Sequence, residues 1–188
     1  MRTSTLFATV LLAAATATAA PIHKRALTLT AYNDMSISSG VGGDAENRAN
    51  AIWTKGLTGI TDVQTASDDA LAAVSDDDLD ILKVERENAE AAETDAFNPA
   101  IDAADGDAAD ALQVGKTANK VLKLTGLALV RKIGIAKKTA AGDAVSSSDE
   151  AALEDTLTKL TKNIATDVEN EGKPSTAVDF VGQTSVKA

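Results

Sequence analysis

The chain has 188 residues, a formal charge of −10, one histidine, no cysteine and 3% aromatic residues. Disulfides, thiolate nucleophiles and cysteine-held metal sites are therefore excluded. The acidity argues against nucleic acid as a partner, because phosphate backbones call for a basic footprint.

The first elements are targeting signals. Met1-Arg2-Thr3 is a short, weakly basic start, residues 6–15 are apolar with one threonine, and Ala17-Thr18-Ala19 fits an A-x-A cleavage pattern. This predicts a secretory signal peptide over 1–19, cut after Ala19. The apolar stretch is too short for a spanning helix, which needs about 20 residues, so no transmembrane segment is expected. Cutting after Ala20 would put Pro21 directly beyond the scissile bond, where its ring restricts the preceding residue. Segment 20–25 ends in Lys24-Arg25, which resembles the target of the kexin-type proteases of the fungal secretory pathway. A short terminal segment carrying Pro21 is accessible to cleavage. The predicted processing residues are thus Ala19, Ala20, Lys24 and Arg25. Cleavage after Arg25 discards His23 and starts the mature chain at Ala26, with 15 basic residues against 28 acidic, a formal charge of −13. Without imidazole, neither a Ser-His-Asp triad nor a histidine zinc site can be built.

Alternation at Leu27, Leu29 and Ala31, and again at Met35 and Ile37, predicts an extended arm over 26–43, punctuated by Gly40, Gly42 and Gly43. It and the tail 172–188 are expected to lie against the core or stay mobile, pairing as strands through Leu27/Leu29 and Val178/Phe180. The body, 44–171, reads as helices. The first spans 44–55, capped by Asp44, with Ala45, Ala49, Ile52 and Trp53 on one face. A weaker one covers 61–74, capped by Thr61 or Asp62. Ser75 caps the next, with Asp76, Asp77 and Asp78 in a first turn that favours negative charge; Asn98-Pro99 should break or restart it. The third strong helix carries Leu112, Ala118, Val121, Leu122, Leu124, Leu129 and Ile133. Gly115 and Gly126 within it admit close packing or mark kinks. The last has Ser147 and Glu150 as a capping box, and Leu153, Leu157, Leu160, Ile164 and Val168 as one apolar stripe. Gly172 and Pro174 stop it. Segment 75–97 is net −7 and 107–138 net +5, so packing them together would neutralise both. The fold class is all-α, an antiparallel bundle of four to five helices with an extended N-terminal arm and a short C-terminal tail.

No residue is assigned a catalytic, cofactor-binding or metal-binding role. The aspartates at 76–78 and 102–110 could attract calcium, but Ala104 occupies the second ligand position of an EF-hand pattern counted from Asp102, and capping and solvation explain both runs. Glu85, Glu87, Glu90 and Glu93 could hide an acid–base pair of the glycosidase kind; a solvated helix face is the simpler reading. Arg131-Lys132 and Lys137-Lys138 are read as partners of the acidic helix or as solvated. None of the asparagines begins an N-x-S/T sequon, and the C-terminus lacks the apolar tail of a lipid-anchor signal.

"AYNDMSISSGVGGDAENRANAIW", "ERENAEAAETDAFNPAIDAA", "DALQVGKTANKVLKLTGLAL" and "KLTKNIATD" together resemble a family of small secreted proteins of filamentous fungi, over roughly residues 32–167. The resemblance implies secretion and carries no enzyme activity and no motif of functional residues. Sequence and resemblance point to a non-catalytic extracellular protein that binds at the fungal surface or on a host. The alternative is a helical-bundle cell-wall protein that binds lipid or hydrophobic surfaces. The partner classes are accordingly a host component, a cell-wall component or a lipid.

Overall fold

The computed structural model describes residues 27–186. The predicted signal peptide over 1–19 and the predicted processing residues Ala19, Ala20, Lys24 and Arg25 lie outside the described residues. The described chain is mostly helical, with 66% helix and 4% strand. In chain order it runs α1 (Tyr32–Met35), β1 (Gly40–Val41), α2 (Ala45–Thr54), α3 (Asp68–Ala72) and α4 (Asp76–Ala92). A π-turn over Glu93–Phe97 leads into α5 (Asn98–Asp102), followed by α6 (Gly106–Ala141), α7 (Ser147–Glu169) and β2 (Pro174–Ser175).

The axis is α6. Its stripe of Ala118, Val121, Leu122, Ala128, Leu129 and Ile133 is fully buried, and α2, α3, α4 and α7 pack round it. At 36 residues it is long enough to touch all of them along one length. Two of its interior glycines, Gly115 and Gly126, serve close packing. A Cβ at Gly126 would overlap the ring of Trp53, and one at Gly115 would overlap the carbonyl oxygen of Thr176. Trp53 is locked there by its indole N–H, which donates to the Leu122 carbonyl at 2.8 Å.

Charge orders the neighbours as their composition suggests. Lys137, near the end of α6, bonds Asp76 at the start of α4 at 2.9 Å. Lys123 and Lys120, further back, reach Glu93 beyond the other end of α4 at 2.5 and 3.6 Å. The two helices therefore run antiparallel. Of these pairs Lys137–Asp76 lies at the surface, where such a pair contributes about 0–1 kcal/mol, so burial supplies most of the stability and charge the pairing preference.

Several local expectations are corrected. Asp44 does not cap α2: its carboxylate pairs with Arg48 at 2.6 Å, and the cap comes from Asp167 of α7, whose Oδ2 accepts from Gly43 and Ala45 at 3.1 and 2.8 Å. The weak helix over 61–74 shrinks to α3, capped by Ser67. Asp62 Oδ1 takes the amides of Gln64 and Thr65, both at 2.8 Å, and holds a turn that competes with helix. At Asn98-Pro99 the helix restarts, the second of the two outcomes expected there, without leaving helical geometry. Asn98 keeps helical angles (φ −58°, ψ −53°), and Pro99 falls in the first turn of α5, where its missing N–H has no intrahelical role. The capping box of α7 uses Ser146 and Asp149, one residue earlier than expected. Its apolar stripe is only partly core: Leu160 is buried, whereas Val168 is 54% exposed.

Arm and tail do meet, but not through the expected strands. The pairs are Gly40 with Ser175 and Val41 with Pro174, antiparallel. Upstream the arm is interrupted by the helical turn α1, which buries Tyr32 and Met35. Phe180 meets Tyr32 edge to face, with ring centroids 5.6 Å apart, and Ser175 Oγ donates to the Ser38 carbonyl at 2.6 Å. The tail is thus strapped across the start of α6, where Thr176 N–H donates to Ala111 at 3.0 Å.

Candidate functional site

Two acids of α4 hold the arm. Ser75 opens the helix by accepting from Asp78 N–H at 3.0 Å, which fixes the register of the helix from its first turn. Asp78 and Glu85 are seven residues apart and so share a face two turns apart. Asp78 Oδ1 accepts from Leu27 N–H at 2.9 Å, and Glu85 Oε1 from Thr30 N–H at 2.7 Å. Both side chains are buried. The extended residues 27–31 are thereby strapped over the gap between α2 and α4.

Beneath the strap lies a cavity of about 310 Å³. Met35, Ile52, Trp53 and Leu82 give it an apolar wall, and Glu85, Asp34 and Lys55 are its charged groups. Glu85 is 7% exposed. Burial pushes its carboxyl above the usual range, against the lowering effect of the hydrogen bonds from Thr30. Among the described residues no cation pairs with it. Such a group is held by a backbone dipole while its charge stays uncompensated.

Glu85 departs from the solvated face expected for the four glutamates. It falls in register with Ile81, Leu82, Asn88, Ala89 and Ala92, all buried, and that position on the apolar stripe is the signal by which sequence could have found it. The other three stay outside the cavity. Glu90 pairs with Arg86, Glu87 lies alongside, and Glu93 takes Lys120 and Lys123. The first aspartate run is structural: Asp76 is held below the usual carboxyl range by the hydrogen bond from Lys137, and Asp78 clamps the arm. Among the described residues no group of three or more His, Cys, Asp or Glu side chains converges as a metal site would.

The lysines of the basic run on α6 are absorbed locally. Lys132 donates to the carbonyls of Val63 and Gln64 at 2.9 and 2.6 Å, and desolvation lowers its pKa. Lys138 bonds Asp149 at 2.6 Å across the α6–α7 turn.

A second concavity is an open groove of about 670 Å³ between α6 and α7, with Ile135, Leu153 and Leu157 at its base and Glu150 and Glu154 beside them. It exists because the α7 stripe is not fully covered. Among the described residues no helix is long and apolar enough to cross a membrane.

A family model described as a domain of unknown function, DUF8454, matches residues 27–179. The chain belongs to the DUF8454 family. The match runs from the first residue clamped by Asp78 to the residue before Phe180, so the DUF8454 domain includes the strap, the cavity and the first part of the tail. No curated protein and no solved structure matches the chain.

Proposed function

We propose that this DUF8454 protein is a secreted, non-catalytic extracellular protein that acts by binding at the fungal surface or on a host. The architecture is read as an antiparallel bundle whose principal members are α2, α4, α6 and α7. Support for secretion comes from the N-terminal pattern, and support for the fungal setting from the family resemblance. The single observation that favours binding is the strapped cavity, where an apolar wall and one buried, uncompensated carboxylate face the same space. Specific pockets commonly combine these features, an apolar lining with a few convergent polar groups. The test is retention of labelled mature protein on isolated fungal cell walls and on host tissue. Binding that saturates on either supports the reading, and washing off both overturns it.

The alternative, a binder of lipid or hydrophobic surfaces, is favoured by the α6–α7 groove and its half-buried Leu153 and Leu157. Native mass spectrometry of protein from culture filtrate separates the two. A co-purified adduct of lipid mass supports the alternative, and a chain free of lipid supports the first reading.

A further inference from the structure

We propose that the cavity beneath the arm binds a small protonated amine carrying an apolar body. This inference rests on the reading of the protein as a binder and names the ligand class of its candidate site.

Size comes first. At about 310 Å³ the space lies at the lower end of ligand pockets, which run from about 300 to 1,000 Å³. That suits a single ring or a short branched chain. The wall of Met35, Ile52, Trp53 and Leu82 rewards burial of such a body at about 25 cal/mol per Å² of apolar surface.

Charge decides the rest. Glu85 is more than nine-tenths buried and lines the cavity. Thr30 N–H uses Oε1 at 2.7 Å, and a carboxylate accepts about four hydrogen bonds in all. Acceptor capacity therefore remains on the group. A neutral ligand would displace water from this carboxylate and leave its charge without a counterpart, which is costly. An anion would be repelled by the buried Glu85 carboxylate itself. A cation with N–H donors meets both demands at once, charge compensation and a charge-assisted hydrogen bond. Asp34 and Lys55 are exposed and belong to the rim, where water screens them, so Glu85 carries the selectivity.

Trp53 is the only tryptophan in the chain and forms part of the wall, so its fluorescence reports occupancy directly. The experiment titrates the full mature protein at neutral pH with benzylamine, benzyl alcohol and benzoate, matched in body and differing in head group. A saturable change in Trp53 emission is expected with benzylamine, at an affinity at least roughly tenfold above that for benzyl alcohol, and none with benzoate. The Glu85→Gln variant, checked for native circular dichroism, should lose the preference for the amine. Should that variant fail to fold, the wild-type pH series decides. Benzylamine stays protonated across the carboxyl range, so its affinity should fall as pH drops and Glu85 takes up its proton. Asp34→Asn, at the exposed rim, should keep that fall. Equal affinities for amine and alcohol would overturn the amine class while leaving a binding cavity in place. No saturable response to any probe would overturn the cavity as a site, whereas the wider binding reading stands or falls on cell-wall and host retention.

Discussion

Asp167, near the end of α7, places Oδ2 2.8 Å from the main-chain N–H of Ala45, the first residue of α2, and 3.1 Å from that of Gly43. A helix start is thus capped from another helix, 122 residues along the chain. Ala45 is fully buried, so its N–H has no recourse to water. Losing that acceptor should cost about 1–3 kcal/mol. Asp167→Ala is expected to lower the urea midpoint accordingly, and Asp167→Asn, which keeps an acceptor oxygen, to lower it less. Asp44→Ala removes only the exposed pair with Arg48 and should stay within about 1 kcal/mol. Equal losses at 44 and 167 would overturn the assignment of the cap.

Gly126 and Gly134 lie eight residues apart in α6 and should respond in opposite directions to alanine. A Cβ at Gly126 would overlap the Trp53 ring, while one at Gly134 would meet nothing within 4 Å. Trp53 cannot retreat easily, being buried and bonded to Leu122. Overpacking of this kind costs about 1–3 kcal/mol, more than the helix propensity alanine adds, about 1 kcal/mol. Gly126→Ala should destabilise and Gly134→Ala should stabilise by up to about 1 kcal/mol. Thermal unfolding of the two variants, run side by side, gives the sign of each directly.

The contrast between these glycines also shows what a sequence can carry. Helix existence was legible, since Ser75 before three aspartates and the apolar recurrence through Val121, Leu122 and Leu129 are local signals. The charge difference between α4 and α6 predicted their contact. What failed was long-range or depended on register. Asp44 stands where a cap should be, yet the acceptor comes from α7. The run Ser146, Ser147, Ser148 offers neighbouring cap frames, and the structure uses the first. Asn98-Pro99 signalled the restart at α5, but the π-turn over Glu93–Phe97 that carries the chain into it leaves no local signature. The cavity was not legible, because it needs the arm to fold back over α4. Glu85 could have been suspected from its place on the buried stripe, but its role depends on Thr30, 55 residues earlier.

Tyr32 and Asn119 join the arm to the centre of α6. Tyr32 Oη donates to Asn119 Oδ1 at 2.8 Å, and Asn119 Nδ2 donates to the Ala89 carbonyl of α4 at 2.8 Å. All the side chains in this chain of bonds are buried, which also pushes the Tyr32 hydroxyl above its ordinary pKa. Tyr32→Phe keeps the ring against Phe180 and loses one hydrogen bond, an effect of about 1 kcal/mol. Asn119→Ala breaks both and strands a buried hydroxyl and a carbonyl. It should cost more than Tyr32→Phe, and in the double variant the losses should fall short of additive. Additive losses in denaturant titrations would mean that the two residues act separately.

Glu85 gives stability a pH dependence of known sign. Burial raises its carboxyl above the ordinary value of 4.5, so the folded state holds this proton more tightly than the unfolded chain does. Its contribution is full below the unfolded value and is lost as pH rises through the folded one. Glu85→Gln cannot titrate, yet it keeps an oxygen for Thr30 N–H. The stability of the variant relative to wild type should therefore climb across that window and level off above it. Asp149, held down to about 2 by the hydrogen bond from Lys138 and that of Ser146, has the opposite sign. Its contribution is lost only as pH falls towards that value, and it is common to both proteins, so it cancels in the difference. Urea midpoints of both proteins from about pH 3 to 8 make the measurement. A difference that stays flat, or falls as pH rises, would show that Glu85 carries no burial penalty under the arm.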